Sequence, residues 1–402
     1  MFVAQKSSDD PTVQAFAPPM DFLSRVMRRL RHEQITRSFS PYRLSRPKGY
    51  ERFSDDRSPH GGTLARQLPA CDLINLRSIA GFVAHEAFFT RLSRRIPVVW
   101  TLDDMNPLTG GCHFDDSCGR FAEGCGACPQ LGSADPNDLS HRIWQRKRRL
   151  FGRIDPSRLH IVATNRWMER LVRQSPLLSR FPVTVIPYGL DTDTFLPRPK
   201  IAARLLLGVP QDAFVILFVA HAVDLRRKGL PLLAEALREP IGDDILLISV
   251  GNGVPDLNFP VPTKHMNKVD NDWGLSCIYS AADIFVCPSL QDNLPNTVME
   301  AMACGTPVVA FDAGGIPDMV RPEITGLLAS SGDTQALRAG IAHLHRDRTK
   351  RAAMGENSRT IALQEYSLEV QARRYAQLYQ ATLQQTVCIS FPEAKSELSA
   401  TL

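Results

Sequence analysis

Between residues 213 and 320 the chain alternates short apolar runs with stretches of helical period, and no other feature restricts the fold as much. AFVILFVA, DILLISVGNG, IFVCPS and TPVVAF are apolar and largely β-branched; KGLPLLAEALRE, CIYSAAD, PNTVMEAMACG and IPDMV lie between or after them. Strands without a polar face need cover on both sides, and strand–helix–strand repetition supplies that cover for a parallel sheet. The rhythm also occurs earlier, with CDLINL, IPVVWTL, LHIVAT and VTVIPYGLD as strands and GFVAHEAFFTRLSRR, residues 140–153 and NRWMERLVRQS as helices. The expected class is α/β, two Rossmann-like doubly wound domains at residues 1–190 and 191–365. The Pro- and Asp-rich DTDTFLPRP begins the second domain as its linker. An amphipathic helix within 366–386 is expected to pack back on the first domain, and 387–402 reads as a loose tail.

A chain of 402 residues can hold two cores, and 44% hydrophobic with 22% charged residues is a globular composition. No apolar run approaches the roughly 18 residues that cross a bilayer. The start, MFVAQKSSDD, carries no apolar signal core, so the expected location is the cytoplasm. A net charge of +5 is too mild to suggest a nucleic-acid partner. Basic residues do cluster at 25–32 and 141–153, where Ile143, Trp144, Leu150 and Phe151 interleave with the charges. These read either as solvated faces or as peripheral contacts with anionic lipid at the inner face of the cell membrane.

The segment QDNLPNTVMEAMACGTPVVA, residues 291–310, sets Asp292 eight positions before Glu300. In an open parallel sheet, ligands bind beyond the carboxyl ends of the strands, where IFVCPS runs into LQDNLPNT. Pro295 near the first helical position has no N–H to lose, and the amides around Asn296, Thr297 and Val298 form an anion site. Asp292 and Glu300 then stand as candidate acceptors for sugar hydroxyls. On spacing alone they could equally be a loop acid and a surface helix residue.

PSLQDNLPNTVMEAMACGTPVVAF resembles the donor-binding segment of family 4 glycosyltransferases, with Asp292 at the place of their first Glu. YSAADIFVCPS, VGNG, IPYGLDTDTF and RKGLPLLAEAL follow the family's order, so the resemblance spans roughly residues 70–385. WTLDDMNPLTGGCHF, CGRF and GCGACPQLGS resemble the subgroup that builds bacterial surface polysaccharides, of colanic-acid type. The resemblance implies a GT-B fold, its two domains facing across a cleft. It also implies a nucleotide-sugar donor, a glycan or lipid-linked glycan acceptor, and hexose transfer with retention, with no metal required for catalysis. By position, Glu300 would bind the ribose, while Asp292 and the backbone of Asn293 and Leu294 would face the transferred sugar. Lys228 would neutralise the departing diphosphate, Arg227 and Gly251 would approach the donor, and Asn296 and Thr297 would meet it at the helix start. Asp104 matches the family's acid in the first domain, and Asp103 stands where relatives carry His; both join Lys228 and Asp292 as catalytic candidates.

Other departures concentrate in the first domain. NLRSI has Arg77 and Ser78 where relatives tend to carry His and an aromatic residue, and the family's opening strand and Gly-rich loop have no counterpart before Gly49. In the second domain, HAVDLRRKG lacks the usual Gly-Arg pair, leaving Arg226 or Arg227 to supply the second charge.

Within the Cys-rich insert 110–130, Cys112, Cys118, Cys125 and Cys128 form a candidate structural zinc site, with His113 as a substitute ligand. Free surface thiols and a redox Cys-x-x-Cys are the competing readings. Gly314 and Gly315 read as a second phosphate-approach loop, and His221 either as a residue within reach of the donor pocket or as a satisfied structural histidine. A non-catalytic or truncated sugar-nucleotide-binding protein remains an alternative function. A sugar-nucleotide epimerase shares the two-domain fold, but the 291–310 motif argues against it.

Overall fold

The computed structural model describes residues 1–6, 9–92, 96–253 and 258–390, with side chains of the last helix described through 385. Strands β1 (Phe2–Val3) and β2 (Gln14–Ala15) make a small parallel ribbon. Strands β3 (Ile74–Leu76), β4 (Val98–Leu102), β5 (Leu159–Ala163) and β6 (Val183–Val185) form a parallel sheet in sequential order. Strands β7 (Phe214–Ala222), β8 (Ile245–Asn252), β9 (Thr263–Met266), β10 (Ile284–Cys287), β11 (Val308–Asp312) and β12 (Gly326–Ser330) form a second sheet, ordered β12-β11-β10-β7-β8-β9. That order reverses between β7 and β10, the switch point of a doubly wound sheet, where a crevice opens. The first sheet winds one way only among the described residues.

The uniform hydrophobicity of the strands has its expected cause. Val215, Ile216 and Leu217 of β7 are wholly buried, helices covering both faces of the sheet. The first core forms around Trp100, Leu102, Phe88, Phe151 and Ile161. The helix Leu368–Ser390 crosses to the first sheet, where the Tyr375 hydroxyl lies 2.8 Å from Thr101 Oγ1 and Asn75 Nδ2 donates to Tyr379 Oη at 2.6 Å. This helix runs through Ser390, so 387–390 are helical rather than loose, and 391–402 lie outside the described residues.

Two sequence expectations change. GFVAHEAFFTRLSRR is helical only over His85–Phe89, and its residues 93–95 lie outside the described residues. The basic helix Leu139–Phe151 does not offer its apolar side chains to a lipid surface. Ile143, Trp144, Leu150 and Phe151 are all buried, and Lys147 is buried with them, its Nζ donating to the carbonyl oxygens of Asn106 and Thr109. Positions 143, 144, 147, 150 and 151 lie on one helical face, and that face is turned to the core.

Candidate functional site

The carboxyl ends of β4, β6, β7 and β10 converge on a cleft of about 480 Å³ between the domains, within the range of small-molecule sites. Asp103, Asp104, His113, Phe114 and Tyr188 line it from one side; His221, Arg227, Lys228 and residues 292–297 line it from the other. A larger cavity, about 680 Å³, lies at the opposite ends of the second sheet's strands, beside Phe214, Asp283 and Pro307. Ligands of open α/β sheets bind at carboxyl ends, so the smaller cleft is the candidate site.

Asp292 is the hub of the donor side. Its Oδ2 accepts from Lys228 Nζ at 2.6 Å and lies 3.2 Å from Arg227 Nη1, and its Oδ1 accepts from its neighbour Asn293 N at 3.1 Å. Burial pushes this carboxyl up, but the two cations and the hydrogen bonds outweigh burial and hold it below the usual carboxylate range. Arg227 also gives Nε and Nη2 to Glu51 Oε1 and lies 4.1 Å over the Phe114 ring. The cation expected at a diphosphate is therefore shared between two protein carboxylates, one from each domain. The loop is shaped from behind by Gly314, where φ is +58° and an added Cβ would sit 1.9 Å from the Asp292 carbonyl oxygen. Gly315 N donates to that same oxygen at 3.0 Å, so this glycine pair buttresses the 292–293 loop.

Asn293 and Gln291 face across the interface. Asn293 Nδ2 donates to the carbonyl oxygens of Leu102 and Asp103 at 3.1 and 3.0 Å, and its Oδ1 accepts from Thr164 Oγ1 and Asn165 Nδ2 at 2.9 and 2.6 Å. Gln291 Nε2 donates to Asp115 Oδ1 at 2.7 Å, and its Oε1 accepts from Asp116 N at 3.0 Å. The Cys-rich insert thus braces the donor loop through Phe114, Asp115 and Asp116.

Leu294, Asn296 and Thr297 line the cleft at the start of the helix Asn296–Ala303, whose N-terminus has no side-chain cap. The Asn296 and Thr297 amides are therefore open to an anion, whereas Val298 N, expected with them, donates to the Pro295 carbonyl oxygen at 3.0 Å. Glu300 lies a turn further along, outside the cleft lining, and its Oε2 accepts from Tyr279 Oη at 2.7 Å. Burial raises the Glu300 carboxyl from its ordinary 4.5 to about 7, against the lowering effect of the Tyr279 bond. Gly251 does not line the cleft: an added Cβ would meet the Ala220 carbonyl oxygen at 2.2 Å, so this glycine serves the close approach of β8 to the backbone at the end of β7.

The two acids of the first domain are engaged internally. Asp103 accepts from Arg77 Nη2 and Tyr188 Oη through Oδ1, at 3.0 Å each, and from the Ser78 amide and hydroxyl through Oδ2 at 2.9 and 2.8 Å. Asp104 accepts from Asn106 N at 2.7 Å and pairs with His113 Nδ1 at 2.6 Å. His113 Nε2 lies 2.8 Å from Ser54 Oγ, completing a Ser54–His113–Asp104 chain. In the tautomer that donates Nδ1–H to the carboxylate, Nε2 is placed to accept a hydrogen bond from the Ser54 hydroxyl. An imidazole therefore stands beside Asp104, reached from the insert rather than from the strand end. Glu51, Arg52, Phe114 and His113 as cleft residues have no signal in local spacing, because the fold gathers them from distant segments, whereas Tyr188 follows the end of β6.

The four insert cysteines are neighbours, but the structure does not arrange them as metal ligands. Among the described residues no three His, Cys, Asp or Glu side chains are grouped to hold an ion. Cys112 and Cys128 pack with Phe53, Leu131, Leu139 and Ile143, and Cys125 Sγ accepts from Gly110 N at 3.2 Å. Burial pushes all four thiols up, Cys125 to about 12.

Residues 213–347 match the family described as Glycosyl transferases group 1. A D-inositol 3-phosphate glycosyltransferase of Thermobispora bispora is 30% identical over 228 residues, 50% of this chain and 51% of that protein. One of Mycobacterium tuberculosis is 32% identical over 180 residues, 41% of this chain and 36% of that protein. The chain spans about half, or less, of the length of the curated relatives it matches. Among solved structures, Anabaena Alr3699/HepE in complex with UDP-glucose has a TM-score of 0.60 at 21% identity, covering 80% of this chain and 82% of that one. Sucrose-phosphate synthase of Thermosynechococcus elongatus has a TM-score of 0.59 at 22% identity, covering 77% and 73%. The fold is GT-B, and the second domain carries the group 1 glycosyl transferase match.

Proposed function

We propose that the chain is a glycosyltransferase that moves a hexose from a nucleotide-sugar donor to a glycan or lipid-linked glycan acceptor, in the assembly of a surface polysaccharide. The observation that carries this reading is the convergence of Lys228, Arg227, Asp292 and an uncapped helix start on one interdomain cleft. Donor diphosphate would replace the carboxylates now held by the two cations, with Lys228 stabilising negative charge as the sugar leaves. Glu300, beside Tyr279, would accept the ribose hydroxyls. The family resemblance supports transfer with retention, the leaving phosphate helping to take the acceptor proton on the same face of the sugar. The exchange is balanced: the sugar–phosphate bond breaks, a bond from the sugar to the acceptor oxygen forms, and the acceptor proton passes to the phosphate.

The likeness to D-inositol 3-phosphate glycosyltransferases favours a second acceptor reading, a phosphorylated polyol. Arg52 lines the cleft beside Asp103 and Asp104 without an ion-pair partner among the described residues and would meet such a phosphate. Melting-temperature shifts over a panel of nucleotide sugars test the donor, and the anomeric configuration of the product tests retention. No shift with any nucleotide contradicts the reading.

A further inference from the structure

We propose that the helix Phe22–Phe39 is a docking surface for an anionic lipid bilayer. The inference goes beyond the transfer reaction and stands without it. This helix has 18 residues and buries none of them. Its half-buried positions, Ser24, Arg28, Arg31, Ile35, Ser38 and Phe39, lie on one side, where Ser38 Oγ accepts from Arg57 Nη2 at 2.9 Å. The opposite side carries Phe22, Leu23, Val26, Met27 and Leu30, all exposed, Phe22 at 70% and Leu23 at 72%. At 3.6 residues per turn these five cover an arc of about 140°, a continuous apolar stripe turned to solvent. Met20, also exposed, extends it at the N-terminal end.

Charge selects the occupant. The helix holds five arginines and one glutamate, and exposed Arg25 and Arg29 flank the stripe. An apolar face bordered by arginines matches the boundary between acyl chains and anionic headgroups, where the guanidinium groups meet phosphates as the apolar side chains enter. The helix lies in the plane of the interface: no helix among the described residues is long and apolar enough to cross a membrane. A contiguous apolar patch of this kind on a lone soluble surface is unusual.

The helix is also tied to the cleft. Phe39 packs edge-on against Phe53, ring centroids 6.1 Å apart, and the chain between them passes Gly49, whose carbonyl oxygen accepts from Arg226 N at 3.1 Å. Two residues on, Glu51 holds Arg227. Docking this helix therefore places the rim of the donor cleft near the lipid surface.

Co-sedimentation of the full chain with phosphatidylcholine vesicles, with and without phosphatidylglycerol, tests the proposal. Binding is expected only to the anionic vesicles. It should weaken about fivefold for each of Arg25→Gln and Arg29→Gln, and be lost in Leu23→Gln/Met27→Gln. All four positions are exposed, so circular dichroism and nucleotide-induced melting shifts should stay as in the unmodified chain, which separates failure here from failure of the donor reading. Absence of vesicle binding overturns the proposal, as does binding that these variants leave unchanged. Self-association abolished by Leu23→Gln/Met27→Gln, with no vesicle binding, assigns the face to a second copy of the chain and equally overturns it.

Discussion

Asn165 and Asn293 lock the two domains together: Asn165 Nδ2 donates to both the side-chain and the carbonyl oxygen of Asn293, at 2.6 and 2.8 Å. Both residues are buried, and Asn293 in turn donates to the backbone ends of β4. Asn293→Ala leaves the Leu102 and Asp103 carbonyls and the Asn165 amide short of a partner. The expected cost is about 1–3 kcal/mol of stability, read as a lower melting temperature. A variant as stable as the unmodified chain would show that the latch carries no energy.

Glu51 competes with the donor for Arg227. Glu51→Gln removes the negative charge but keeps the shape, so a diphosphate no longer displaces a carboxylate. The cross-domain pair is partly exposed and is worth on the order of 1 kcal/mol, so nucleotide-sugar affinity should rise about fivefold. Titration calorimetry measures this, and unchanged or weaker binding would show that Glu51 does not guard the cation.

Glu300 should make donor binding pH-dependent. With its carboxyl raised to about 7, the acceptor form needed for ribose hydroxyls fills in as pH rises through about 7. Affinity should therefore increase from pH 6 to pH 8, and Glu300→Ala should abolish donor binding. Tyr279→Phe removes a bond that lowers this carboxyl's pKa, so the midpoint should move upward. A flat profile in the unmodified chain would contradict the assignment. Stability has the opposite slope. The folded state keeps the proton that the unfolded carboxyl has released, so this group's contribution falls between 4.5 and about 7 as pH rises.

Much of this was legible in residue order, for identifiable reasons. β7, β8, β10 and β11 are apolar through most of their length because both faces are covered, and Asp292, Asn293, Leu294, Asn296 and Thr297 line one cleft because they follow a strand end. β9 (Thr263–Met266), of mixed polarity, and β12 (Gly326–Ser330), opening on a glycine, are short edge strands without such a signature. The helix Phe22–Phe39 is obscured because arginines interrupt its period and no core selects its apolar face. The helix Leu139–Phe151 misleads in the opposite way, since its charges draw attention from an apolar face that the core takes. Glu51, Arg52 and His113 reach the cleft through tertiary folding alone, and only a three-dimensional view joins them to Arg227 and Asp104.

Whether Lys228 and the Asp292 loop grip a nucleotide sugar is read from titration of UDP-glucose and other nucleotide sugars into the unmodified chain and Lys228→Ala. Saturable binding of at least one donor by the unmodified chain is expected, with a loss of about tenfold or more in the variant on removing a charge-assisted contact of about 1.5–3 kcal/mol. Equal affinity in the two proteins, or no binding by either, would contradict it.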